Sequence, residues 1–235
     1  MEQLRKKAEI LGISLTEQQC LQFQKYYEYL IEKNKVMNLT GITEKEEVID
    51  KHFIDSLGLA AKMDLTKPLT VLDLGTGAGF PGIPLKIAFP NLTITLLDSL
   101  NKRIKFLDEV IDLLGLTGIE TIHGRAEDYA KPGKLREQFD LCVSRAVANL
   151  SSLSEYCIPY VKEGGYFIPY KSGNIDEELK KAGHAIGMLG GKVESVEEFQ
   201  IPGTDIERTF VKIKKRKATP KRFPRKAGMP SKDPL

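Results

Sequence analysis

The stretch Val71-Leu72-Asp73-Leu74-Gly75-Thr76-Gly77-Ala78-Gly79-Phe80-Pro81-Gly82 constrains this chain more than any other. A β-prone apolar run leads straight into three glycines separated by single residues. Glycine is needed where φ is positive, or where backbone approaches a ligand with no Cβ between them. Pro81 suits the first turn of a helix. Strand, glycine turn and helix, in that order, form the ligand-binding corner of a parallel sheet.

The rest of the chain repeats the alternation. Leu69–Leu74, Thr93–Leu97, Ile119–Ile122, Leu141–Ser144 and Tyr166–Tyr170 read as strands. Helices are predicted from about Asn101 to Leu114, from about Leu150, and over Ile175–Leu189. Val193–Gln200 and Arg208–Ile213 read as a closing antiparallel pair. The predicted fold is α/β, with a mostly parallel, seven-stranded, Rossmann-like sheet. Residues 1–62 read as a helical segment, with capping-box patterns at Ser14–Glu17 and Thr43–Glu46 and a turn over Asn34–Gly41. Residues 63–213 form the sheet domain, and 214–235 a tail.

Two cofactors compete for the glycine loop. Gly77–Gly82 formally matches the dinucleotide pattern GxGxxG. The longer form Asp-x-Gly-x-Gly-x-Gly, running from Asp73 through Gly75 and Gly77 to Gly79, instead fits an S-adenosylmethionine site of the class I methyltransferase kind, with the Asp73 carboxylate at the strand's end reaching the cofactor's amino-acid portion directly or through water. Gly75 comes earlier than a dinucleotide fold requires, and no substrate domain for hydride transfer follows. Asp98 ends the second strand, where a carboxylate can accept both ribose hydroxyls; it also suits the cap of the next helix. After the third strand, backbone amides of Ala126 and Glu127 could read the base; an acidic helix start explains Gly124–Asp128 equally well.

Charge is uneven. Of the net +3, the last 24 residues carry +9, from ten Lys or Arg and one Asp, leaving the first 211 at −6. Such a tail suits a polyanion, nucleic acid first. The three cysteines form no CxxC pair, which predicts free thiols in a reducing cytoplasm and no metal site. The charged N-terminus is no secretory signal, and no run is long and apolar enough for a membrane span.

The fourth strand ends in Ser144-Arg145-Ala146, without the (N/D)PPY-like clamp of exocyclic-amine methylation. Cys142 lies inside a predicted strand, outside the Pro-Cys context that cytosine C5 chemistry needs. Methylation of a ring nitrogen needs neither device. Guanine N7 offers its lone pair at neutral pH, so alignment and a favourable field suffice.

Several segments together resemble the ribosomal small-subunit methyltransferase G family, also called glucose-inhibited division protein B. They are Asn34-Lys-Val-Met-Asn38-Leu-Thr40, Lys51-His52-Phe-Ile-Asp55-Ser56-Leu57, Asp73–Pro84, Leu97-Asp98-Ser99, Ser144–Ala146 and Tyr170-Lys171. The resemblance implies methylation of N7 of one guanine in 16S rRNA, with the RNA or the small subunit as partner. It implies that Gly75, Phe80, Ala126, Glu127 and Arg145 line the S-adenosylmethionine site, that Asp98 binds the ribose, and that Asn38, His52, Arg125, Arg145 and Lys171 position the substrate. Nothing demands more than a monomer. A small-molecule methyltransferase and a non-enzymatic RNA-binding assembly factor remain the alternatives.

Overall fold

The computed structural model describes all 235 residues. Helices α1 (Glu2–Ile10) and α2 (Glu17–Met37) come first. Helix α3 (Lys45–Val48) then passes through a π-helical stretch, Ile49–Ile54, into α4 (Asp55–Leu57). Helix α2 forms because Phe23, Tyr26 and Leu30 recur at helical spacing on one buried face. Its capping box pairs Thr16 with Gln19, two residues later than expected. The second expected box is not made: Glu44 precedes α3 and no side chain caps it. Helix α2 also runs to Met37, through half of the stretch expected as a turn, and stops where Asn38 turns left-handed at φ 50°.

The sheet contains β1 (Thr70–Leu74), β2 (Thr93–Asp98), β3 (Ile119–His123), β4 (Phe139–Arg145), β5 (Val161–Lys171), β6 (Gly191–Gln200) and β7 (Glu207–Lys215). Its order is β3-β2-β1-β4-β5-β7-β6. Strands β1 to β5 are parallel, and β7 runs antiparallel to both β5 and β6, as the sequence predicts for the closing pair. The order reverses between β1 and β4, which opens a crevice at their carboxyl ends. Helices α5 (Gly82–Ala88), α6 (Asn101–Leu114), α7 (Ala126–Tyr129), α8 (Leu150–Cys157) and α9 (Asp176–Met188) connect the strands. No helix is long and apolar enough to cross a membrane.

Alternation along each strand feeds two cores, as in β1, where Val71 enters one and Leu72 the other. The N-terminal helices contribute Leu4, Phe23, Tyr26, Leu30 and Phe53 to the same core as Ile83, Leu107 and Phe210. They are therefore a layer of the sheet domain and share its core.

The tail differs most from expectation. A boundary at 214 falls inside β7. The Lys215 ammonium is buried and donates to the carbonyls of Ile158 and Val161 and to Thr219 Oγ1. Phe223 is buried in the second core. Arg225 forms a salt bridge of 2.7 Å to Glu155, whose side chain is fully buried. A short helix, α10 (Met229–Lys232), then lies against α8. Arg216, Lys217, Lys221, Arg222 and Lys226 remain exposed. Lys215 and Arg225 are thus structural, where the charge count assigned the whole basic run to a nucleic-acid-binding tail.

Candidate active site and cofactor cleft

Asp73 closes the glycine loop from behind. Its Oδ2 accepts from Thr76 Oγ1 at 2.6 Å and from the Gly82 amide at 2.8 Å. Burial raises its pKa to about 6 against the pull of those two bonds, and Oδ1 has no partner. Its role in the loop is bracing, where the sequence suggested contact with the cofactor's amino-acid end.

Asp98 holds the loop from the front. Its Oδ2 accepts from the Gly77 amide at 3.0 Å and from Arg103 Nη1 at 3.2 Å, and Oδ1 accepts from the Leu100 amide at 2.9 Å. The carboxylate ties β2 to the loop, orders the start of α6 and lines the cavity between them.

The glycines divide the work. Gly77 sits at φ +63°, and a Cβ built there meets nothing within 4 Å, so it would project into open space. Gly79, at φ +100°, faces inward: a Cβ would lie 2.6 Å from Ile83 and 2.7 Å from the Tyr26 hydroxyl. The Tyr26 hydroxyl itself donates to the Ala78 carbonyl and fastens the loop to α2.

Three hollows meet along the carboxyl edge of the sheet. The first, about 390 Å³, is walled by Gly75, Asp98, Arg125, Ala126, Glu127 and Tyr156, among others. The second, about 180 Å³, lies over Thr76, Gly77 and Phe80 and reaches Thr40, His52 and Arg145. The third, about 500 Å³, is ringed by Lys51, Arg145, Lys171 and Arg208, with the carboxylates of Asp55 and Glu178. Gly75 and Arg103 border the first and second; His52 and Arg145 border the second and third. Ala146 borders all three and sits at φ +56°, a conformation costing a non-glycine residue roughly 1–2 kcal/mol. A further hollow of about 540 Å³ beside β6 is lined by Asp176, Glu198 and Glu207 against Arg208, a net acidic set unsuited to phosphate.

Arg145 is the hub. Its Nη1 donates to Asp55 Oδ2 at 2.7 Å and to the Lys51 carbonyl at 2.9 Å; Nη2 lies 3.2 Å from His52 Nδ1. The guanidinium sits over the Phe80 ring, 5.1 Å from its centroid. Phe80 also stacks on His52, with centroids 4.4 Å apart. Asp55 is 1% exposed, and its other oxygen accepts from Arg208 Nε at 2.8 Å. The π-helical turn places His52 and the start of α4 places Asp55, so one short helical run faces Arg145 with both. Such turns recur at functional sites.

His52 is buried, and burial together with the Arg145 charge lowers its pKa to about 4. It is therefore neutral at physiological pH. Its Nδ1 lies 3.0 Å from the Lys51 carbonyl and 3.2 Å from the guanidinium, and its Nε2 lies 2.8 Å from Thr40 Oγ1. Thr40 is held in turn by Asn34, whose Oδ1 accepts from the amides of Leu39 and Thr40.

Of the residues singled out from sequence, Gly75, Gly77, Phe80, Asp98, Ala126, Glu127, Arg145, His52 and Lys171 line the hollows. Arg125 joins them from an exposed position. Lys171 is paired with Glu178 at 2.7 Å, so its charge is balanced within the wall. Asp73 and Gly79 stand behind the loop, and Asn38 is an exposed helix end that lines none of the three hollows. Sequence reasoning missed Arg103 and Thr40 as lining residues, and Asp55 with Arg208 as the clamp on Arg145. Asp55 stood inside a quoted segment; Arg208 carried no local signal.

Comparison with known proteins gives the family. A family model described as rRNA small subunit methyltransferase G matches residues 19–210. This chain belongs to that family. A ribosomal RNA small subunit methyltransferase G from Lachnoclostridium phytofermentans is 58% identical, with the match covering 96% of this chain and 93% of that protein. One from Staphylococcus carnosus is 50% identical, covering 100% and 98%. Among solved structures, M. jannaschii TYW2 in complex with AdoMet superposes with a TM-score of 0.57 at 15% identity, covering 74% of this chain and 79% of that one. A SAM-dependent methyltransferase from Aquifex aeolicus gives 0.54 at 18% identity, covering 78% and 97%. At that distance the likeness is one of fold, and it matches the Rossmann-like sheet expected from sequence.

Proposed function

We propose that this chain transfers the methyl group of S-adenosylmethionine to N7 of a guanine in 16S rRNA. The observation that carries this reading is the continuity of the trough. A nucleoside-sized cavity opens past Gly77 and Phe80 into a hollow with four cations. Its residues fit the cofactor: Gly77 leaves a cradle that any Cβ would fill, and Asp98 presents a carboxylate at the ribose position. The bound cofactor supplies an electrophilic methyl group.

The protein's part is alignment. No free general base stands in the third hollow, and N7 requires none. Asp55 is committed to two arginines and Glu178 to Lys171, while His52, with its pKa lowered to about 4, is a weak base. Arg145, held on three sides, divides the cofactor end from the substrate end. The net positive ring of this hollow, four cations against two carboxylates, suits guanine O6 and the flanking phosphates, since a methyl acceptor must itself be left without a donor. The target base must leave its stack to present its Hoogsteen edge. Exposed cations Arg216, Lys217, Lys221 and Arg222 offer further contacts to the RNA backbone. All three hollows are built by one chain, so a monomer suffices, acting in the cytoplasm on rRNA or on the small subunit.

The test offers labelled S-adenosylmethionine to ribosomal RNA and to small subunits from cells lacking this protein, then digests and identifies the labelled nucleoside. Label in 7-methylguanosine from 16S rRNA is expected. Label in another nucleoside, or only in small molecules, refutes the proposal.

A further inference from the structure

The C-terminal segment is joined to the first hollow by contacts that a solvated RNA-binding arm would not need. The anchor is Arg225: its Nη2 donates to Glu155 Oε2 at 2.7 Å, its Nε to Oε1 at 3.0 Å, and its backbone amide to Oε1 at 2.8 Å. The Glu155 side chain is fully buried, and a carboxylate so placed requires a cation and donors. Phe223 is buried upstream, and Arg136 Nη1 holds its carbonyl at 2.7 Å. Beyond the anchor, the Gly228 amide donates to Glu127 Oε1 at 2.8 Å, and Ser152 Oγ to the Pro230 carbonyl at 2.6 Å. Ser231 Oγ lies 2.7 Å from the Tyr156 hydroxyl, and these two residues line the first hollow together with Asp98, Ala126 and Glu127.

We infer that residues 226–235 are the outer wall of the nucleoside site, and that Tyr156 and Ser231 contact the adenine end of the bound cofactor. The inference rests on the reading of the first hollow as the S-adenosylmethionine site. The Glu127 carboxylate is engaged by the Gly228 amide, so that side chain serves the wall and leaves the backbone amides of Ala126 and Glu127 for the base. The hydroxyl pair can both donate and accept, which matches an amino group beside a ring nitrogen. It lies at the Ala126–Glu127 end of the trough, away from Gly77 and Phe80, where the reacting methyl belongs. The segment therefore discriminates between purines. Its cations that remain exposed before Arg225 are separate from this role.

Three proteins test the inference: the full chain, a chain ending at Arg225, and Gly228→Pro. The truncation keeps Phe223, the Arg225–Glu155 pair and the exposed cations Arg216, Lys217, Lys221 and Arg222. Gly228 has φ +84°, which proline cannot adopt, so that variant releases the wall without shortening the chain. The Kd for S-adenosylmethionine is measured by calorimetry, alongside the KM for cofactor and for RNA, with unliganded thermal unfolding as the check on folding. Both variants are expected to bind cofactor about tenfold more weakly, to raise the KM for cofactor and to leave the KM for RNA unchanged. They should also lose preference for the adenosine over the inosine form of the cofactor product. A Kd within twofold of the full chain, or tighter binding on truncation, overturns the inference and leaves the function standing. Failure of the full chain to bind S-adenosylmethionine overturns both.

Discussion

Replacing Asp55 by Asn tests how the site is held together. The carboxylate is almost fully buried and serves Arg145 at 2.7 Å with one oxygen and Arg208 at 2.8 Å with the other. The amide keeps the shape but offers one acceptor and one NH2 group. Whichever way it turns, a donor faces a guanidinium donor, so one arginine is left without its partner. A hydrogen bond to a charged group is worth about 1.5–3 kcal/mol, and a buried charge left unpaired costs more. Both arginine side chains keep some solvent contact, 16% and 20%, which tempers the larger figure. The expected loss is about 3 kcal/mol. Urea unfolding should show it as a midpoint lowered by about 1 M with unchanged slope. Because Arg145 aims at His52 and Phe80, methyl transfer should fall by more than the folded fraction does. A double-mutant cycle with Arg208→Gln should give a coupling of at least about 1 kcal/mol. Additive losses, or a midpoint equal to that of the parent, would refute the clamp.

Two further outcomes follow from the same geometry. His52 has its pKa lowered from 6.5 to about 4, so the fold favours the neutral ring. The stabilisation is full above about pH 6.5 and is lost as pH falls toward 4, when the unfolded chain binds the proton first. The difference in unfolding free energy between the parent and His52→Gln should narrow by about 3 kcal/mol across that window; a constant difference contradicts the buried neutral histidine. Gly77→Ala and Gly79→Ala should separate binding from stability. The first incurs roughly 1–2 kcal/mol of backbone strain and blocks the cofactor, and Gly77→Asp abolishes its binding altogether. The second adds overpacking of about 1–3 kcal/mol against Ile83 and Tyr26. Calorimetry showing parental cofactor affinity in Gly77→Asp would dismiss the loop assignment.

The sequence was most legible where the governing interactions are local. The glycine loop, the bounds of α6 and the alternation of strands and helices are written within short windows. The first capping box was misplaced by two residues because Ser14-Leu-Thr-Glu17 satisfies the same pattern as Thr16–Gln19, and only packing of α2 selects the register. The second pattern, at Thr43, yields no cap because Glu44 occupies the position before α3. The clamp on Arg145 was illegible for a different reason. Arg208 meets Asp55 across 153 residues of chain, and no periodicity encodes such a pairing. The tail failed by the same logic: a count of charges treats Lys215 and Arg225 as solvated, whereas buried Glu155 and three backbone or hydroxyl acceptors take them in. The role of Asp73 was inferred from its place at the end of β1; the amide of Gly82, brought back by the turn, faces its carboxylate inward.

Strand order has a consequence for how this chain comes into being. Strand β7 lies between β5 and β6, so β6 has no neighbour in the sheet except the strand made after it. While the polypeptide is still emerging from the ribosome, β6 has no seat, and the β5 edge stays open until residues 207–215 have been synthesised. Only afterwards does Phe223 fill its place in the second core. Any premature stop before β7 therefore leaves two unpaired strand edges, the hallmark of an aggregating product.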